Sequence, residues 1–178
     1  ASARPAARGG RLINPRRCGD VAIVITGKLA EALRRESESR GLTPEEYLLE
    51  LLTTGEDPAQ RGAEYLEAAA SLVEQARREL ERGDLRQASE KIWGACALAI
   101  KAHAYARRGT RLESHRDLWV YKNEVAKELG EWVRSAFLKA DSMHKNFYEG
   151  LATREDVEDA LRDVERLVAA VRAALKGG

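Results

Sequence analysis

The run Leu85-Arg86-Gln87-Ala88-Ser89-Glu90-Lys91-Ile92-Trp93-Gly94-Ala95-Cys96-Ala97-Leu98-Ala99-Ile100-Lys101-Ala102-His103-Ala104-Tyr105-Ala106-Arg107-Arg108 decides the fold. Leu85, Ala88, Ile92, Cys96, Ala99, Ile100 and His103 recur at helical spacing, and Gly109 supplies the stop. Gly94, Ala95, Ala97 and Ala99 are small enough to let a neighbouring backbone come close. The run therefore predicts a long helix at the centre of a helical protein.

Working outward, Asp57-Pro58 pairs a cap with a first-turn proline, and Tyr65, Ala69, Leu72, Ala76 and Leu80 share one face as far as Gly83-Asp84. Downstream, Ser114 opens a helix through Leu118, Val125 and Leu129 to Gly130. Trp132, Val133, Phe137, Ala140 and His144 mark the next, ending at Gly150. Thr153 and Asp156 cap the last, whose Val157, Leu161, Val164, Val168, Val171 and Leu175 follow a seven-residue pattern. The pair of helices over 58–108 has no second copy at a fixed period, so a bundle over 57–175 is expected rather than a solenoid.

Upstream, Val21-Ala22-Ile23-Val24-Ile25-Thr26 is β-branched almost throughout and flanked by Gly19-Asp20 and Gly27, the pattern of a strand. A helix then runs to Gly41, and Thr43-Pro44-Glu45-Glu46 opens another with Tyr47, Leu48, Leu51 and Leu52. The fold class expected is all-α, an antiparallel helical bundle preceded by a small strand-helix-helix module over 21–54. A lone strand leaves backbone groups unpaired, so a homodimer through residues 21–26 is expected, two copies pairing antiparallel.

The formal net charge of +1 conceals an asymmetry. Residues 1–20 form a basic arm, expected to be flexible, with Arg4, Arg8, Arg11, Arg16 and Arg17, and beyond residue 19 the chain holds 25 positive against 29 negative side chains. Such an arm can follow a phosphate backbone or serve as a solvated tail. Cys18 and Cys96 alone make neither a disulfide framework nor a zinc spacing. No run approaches the roughly 18 apolar residues that cross a bilayer, so no membrane association and a cytoplasmic location are expected. Three Asn and three Gln beside many Arg, Glu and Lys fit a thermophile.

Tyr65-Leu66-Glu67-Ala68-Ala69 onward, the stretch Glu81-Arg82-Gly83-Asp84-Leu85-Arg86-Gln87-Ala88-Ser89-Glu90-Lys91-Ile92-Trp93-Gly94-Ala95, the block Ser114-His115-Arg116-Asp117-Leu118-Trp119 and the block His144-Lys145-Asn146-Phe147-Tyr148-Glu149-Gly150 together resemble the archaeal PaREP repeat family. The resemblance implies a helical domain similar to the HEPN superfamily (higher eukaryotes and prokaryotes nucleotide-binding), a group commonly dimeric. It transfers no activity. Residues 21–52 separately resemble a ribbon-helix-helix unit, which implies nucleic-acid contacts near Thr26, Lys28 and Thr43 beside the arginines of the arm. The outward positions Ala22, Val24 and Thr26 depart from that pattern, since two of the three cannot hydrogen-bond a base edge.

Active HEPN ribonucleases carry an Arg followed by four to six residues and then a His on one helix, the imidazole working as acid or base while the cation steadies phosphate. His144 sits on the expected late helix, but the residue five before it is Lys139, which lacks the two-pronged fork of arginine. His144 and Lys139 are therefore candidates for catalysis only. A pocket of Lys139, His144, Asn146, Tyr148 and His115 is the functional alternative to a hydrogen-bonded core histidine on the face of Phe137 and Ala140. A lysine so near needs solvent, so Lys139 and His144 are expected to share a partly open cleft. His103, His115 and His144 make no local ligand pair, and no metal or other cofactor is called for. The sequence points to a non-enzymatic, dimeric nucleic-acid-associated or regulatory protein. The alternatives are a metal-independent ribonuclease or nucleotide-binding domain using His144, and a structural partner-binding bundle.

Overall fold

A computed structural model of the chain describes residues 23–53, 55 and 57–177. Among them it holds seven helices: α1 Gly27–Ser39, α2 Pro44–Leu52, α3 Pro58–Arg82, α4 Leu85–Arg108, α5 His115–Leu129, α6 Trp132–Glu149 and α7 Arg154–Lys176. Their starts are set by short polar side chains. Thr43, Ser114 and Thr153 each accept a hydrogen bond from the backbone N–H three residues on, while Glu46, Asp117 and Asp156 reach back to the cap backbone. Asp57 and Asp84 cap α3 and α4. Their stops use left-handed backbone that glycine adopts without a Cβ clash, with φ of 81° at Gly83, 58° at Gly109 and 67° at Gly150.

The centre is α4. Residues 92–105 are buried without a break, and a helix apolar on every side has no face for water. Helices α3, α5, α6 and α7 surround it. The close approach of α3 is visible at two glycines. A Cβ on Gly94 would lie 2.9 Å from Leu72 Cδ1, and one on Gly62 would lie 3.1 Å from the Ala102 carbonyl. The small residues of the central run are thus the contact surface of α3.

Helix α2 docks in an unusual way: it buries Glu46 and Glu50 and leaves Leu51 and Leu52 exposed. The reason lies on α4, where Lys101 is 1% exposed. Its Nζ sits 2.8 Å from Glu50 Oε1 and 3.6 Å from Glu46 Oε1, and Arg111 bonds Glu50 Oε2 at 3.1 Å. Burial raises the Glu46 carboxyl above its ordinary value, against the pull of Lys101. An ion cluster, more than an apolar face, joins α2 to the bundle. Helix α1 is held still more lightly, with Ser37 its only buried residue.

The expected strand is overturned. Val21 and Ala22 lie outside the described residues, residues 23–26 have no regular secondary structure, and the chain then enters α1 directly. No strand occurs among the described residues, so the N-terminal unit is helix-helix and not strand-helix-helix. β-Branched residues favour a strand by packing on a pleated, half-buried surface. Here Ile23 and Val24 are 83% and 82% exposed, so that surface is missing. The homodimer expected through residues 21–26 therefore loses the ladder it relied on. The basic arm with Arg4, Arg8, Arg11, Arg16 and Arg17 lies outside the described residues.

Candidate functional site

Three of the stretches singled out in the sequence meet at one end of the bundle. Trp93 of α4 is fully buried, and both imidazoles rest near it, His115 with ring centres 5.0 Å apart and His144 at 5.5 Å. The two histidines are 6.3 Å apart, and Tyr148 stands edge-on to His144 at 5.8 Å. Sequence order explains the meeting. His115 is the first residue of α5, and His144 and Tyr148 are four apart on α6, hence on one face.

His115 Nε2 lies 2.9 Å from Asp141 Oδ1 and 2.8 Å from Trp119 Nε1. A protonated Nε2 donates to the carboxylate, whereas a bare one accepts from the indole. One proton therefore chooses the partner. Lys122 completes this wall. It is buried, gives a hydrogen bond to the Trp119 carbonyl at 2.6 Å and lies over the Trp119 ring at 4.5 Å, with burial lowering its ammonium pKa.

Beside the histidines is a cavity of about 180 Å³ between the α1–α2 hairpin and the bundle. The hairpin roofs it with Arg34, Ser37, Glu38, Leu42, Thr43, Pro44 and Glu45. Gln87 and Glu90 of α4 and His144, Phe147 and Tyr148 of α6 close the other side. Glu45 is engaged by Lys91. Among the described residues the side chains of Gln87, Glu90 and His144 have no hydrogen-bond partner. Burial raises the Glu90 carboxyl above the ordinary carboxylate range, with Lys91 and Arg34 opposing the shift and Glu45 and Glu38 adding to it. Burial lowers the His144 imidazole, helped by His115. Burial also raises the Tyr148 phenol. An acid and a base whose burial shifts each of them toward its neutral form thus face one enclosed space.

Lys139 does not join His144. It points to α7, pairing with Asp159 and, at 2.7 Å, with Asp163, and lines a separate shallow groove that includes Asp156 and Asp159. Five residues along a helix is well over one turn, which sends the two side chains to different faces. Asn146 is buried in structural bonds, giving one to Ser89 Oγ at 2.9 Å and accepting one from the Ala152 N–H at 2.6 Å. Tyr148 and His115 do come to His144. Among the residues expected to touch nucleic acid, Thr26 and Lys28 are exposed at the start of α1, but Thr43 is 5% exposed and occupied by its capping box. Glu45 and Glu46 in the first turn of α2 also repel phosphate.

Arg34, Gln87 and Glu90 were missed from the sequence. They have no local spacing to His144 and become neighbours only when the hairpin docks. His103, expected to continue the apolar stripe of α4, is buried and bonded to the Tyr121 hydroxyl at 3.1 Å and to Glu128 at 2.9 Å, far from a ligand role.

In the comparisons, the archaeal PaREP1/PaREP8 family model matches residues 64–168, more than half of the chain. No curated protein and no solved structure matches.

Proposed function

This chain belongs to the archaeal PaREP1/PaREP8 family, and we propose that it is a nucleic-acid-associated regulatory protein that captures one unstacked base in the cavity beneath its helical hairpin. One observation carries this reading: the cavity joins the rings of His144, Phe147 and Tyr148 to the side chains of Gln87 and Glu90, which make no hydrogen bond among the described residues. Rings supply stacking for a flat heterocycle, and unspent polar groups supply its edge with partners. Its size agrees, because about 180 Å³ is below the roughly 300 Å³ at which pockets enclose drug-sized molecules, so a single ring system enters and the rest stays outside. Arg34, another lining residue, supplies a cation for the phosphate that follows.

A HEPN-like character of the bundle fits this reading, with His144 late in α6 and the helices gathered round α4. Association of two copies belongs to it as well, now supported by Ile23, Val24, Leu29, Leu51 and Leu52, which remain largely exposed. The test is fluorescence anisotropy of single-stranded and duplex oligonucleotides with the intact chain. Single strands are expected to bind, and Tyr148→Ala to weaken them about 5-fold or more, as loss of one stacked base does. Absence of binding to any strand, or binding untouched by Tyr148→Ala and His144→Ala, overturns the proposal.

A second reading, metal-independent RNA cleavage, is favoured by Glu90 and His144 facing the same space with Arg34 as the available cation. Cleavage of single-stranded RNA in the presence of chelator, abolished by His144→Ala, would select it.

A further inference from the structure

We propose that the cavity selects guanine, as a free nucleotide or as an unpaired residue of a single strand; the inference rests on the base-capture reading above. Gln87 and Glu90 are three residues apart on α4 and so share a face, and both line the cavity. The carboxylate offers two acceptors. The amide one turn before it offers a donor. With the Gln87 NH2 turned to the same side, the pair can present donor, acceptor, acceptor, the row that cytosine shows to its partner. Guanine answers it with the O6 acceptor and the N1–H and N2–H donors. Adenine brings one donor and an acceptor, which sets its ring nitrogen against a carboxylate oxygen. Cytosine brings one donor and two acceptors, and uracil a single donor between two acceptors. Only guanine gives both carboxylate oxygens a hydrogen bond, and a carboxylate left half-bonded in an enclosed site is costly.

The surrounding groups agree. His144 with Phe147 and Tyr148 gives ring faces for the purine, while Glu45 is already held by Lys91 and leaves the edge to Glu90. The required state of Glu90 is ionised. Because burial raises its carboxyl, guanine binding is expected to fall as pH is lowered through that raised value.

The experiment is calorimetric titration of the intact chain with GMP, IMP, AMP, CMP and UMP, and with pyrimidine-rich single-stranded RNA carrying one central G or A. GMP is expected to bind about tenfold or more tightly than AMP, CMP or UMP, the discrimination typical of one good two-pronged base contact. IMP, which lacks the N2 amine, should fall between. Glu90→Gln should bring GMP to the level of AMP and remove the pH dependence, and Gln87→Leu, with its fold checked by circular dichroism, should also cost guanine affinity. Guanine preference in the strand alone assigns an RNA residue as the source, and tight GMP binding assigns the free nucleotide. Equal binding of all bases, or a guanine preference that survives Glu90→Gln, overturns this inference while leaving base capture standing. No binding of any nucleotide or strand overturns both.

Discussion

Lys101 carries a charge in the middle of the most buried helix, and its cost is tolerated only because Glu46 and Glu50 come to it. Replacing it with Met leaves two buried carboxylates without that cation. Lys101→Met is expected to lower stability by about 3–5 kcal/mol in urea denaturation, and adding Glu46→Gln and Glu50→Leu to recover much of the loss. A single variant as stable as the parent would contradict the cluster. The titrating histidines give a second prediction. Burial holds His103 and His144 below their ordinary 6.5, so the unfolded chain takes up protons first and stability falls as pH drops through about 6.5. Glu46 and Glu90, both raised, act in the opposite direction at lower pH. A double His103→Gln, His144→Gln protein is therefore expected to show a flatter urea midpoint between about pH 7.5 and 5.5, and an unchanged slope would refute the assignment. At this scale the sequence singles out His115, His144 and Tyr148, which stand in compact local blocks and whose rings the fold brings near one another. It concealed Arg34, Gln87 and Glu90 because nothing local links a residue of α1 or early α4 to one of α6.

Element boundaries were the most legible feature. Caps and glycine stops act within one turn, so Thr43, Ser114, Thr153, Gly83, Gly109 and Gly150 do in the fold what their residue types suggest in the sequence. The strand at residues 21–26 failed for the converse reason: β propensity is a statement about covering partners, and Ile23 and Val24 have none among the described residues. The small residues of the central run also kept their promise, which gives a test of the α3–α4 contact. At Gly62 an added methyl would meet the Ala102 carbonyl at 3.1 Å and Ala106 Cβ at 3.2 Å, atoms with little freedom to yield. Gly62→Ala is expected to cost about 1–2 kcal/mol net, overpacking outweighing the ~1 kcal/mol that alanine returns in helix propensity. A thermal melt at or above that of the parent would show that α3 and α4 stand further apart.

Taken whole, the molecule has a tightly packed bundle and a hairpin held mainly by charge. Amide exchange is expected to be fast in α1, which buries only Ser37, and slowest in α4. Light scattering tests the association of two copies: a monomer at micromolar concentration removes it from the proposed function, and a dimer disrupted by Leu51→Ser with Leu52→Ser locates it. The burial of α4 has a further consequence, in time rather than in space. Residues 85–108 are made before residues 115–176, so for a few seconds at roughly 5–20 residues per second α4 lacks the three later helices that come to cover it. The nascent protein is then at its stickiest, and Lys101, whose partners Glu46 and Glu50 precede it in the chain, is an ionic anchor on the buried face of α4 whose partners do not wait for the later helices.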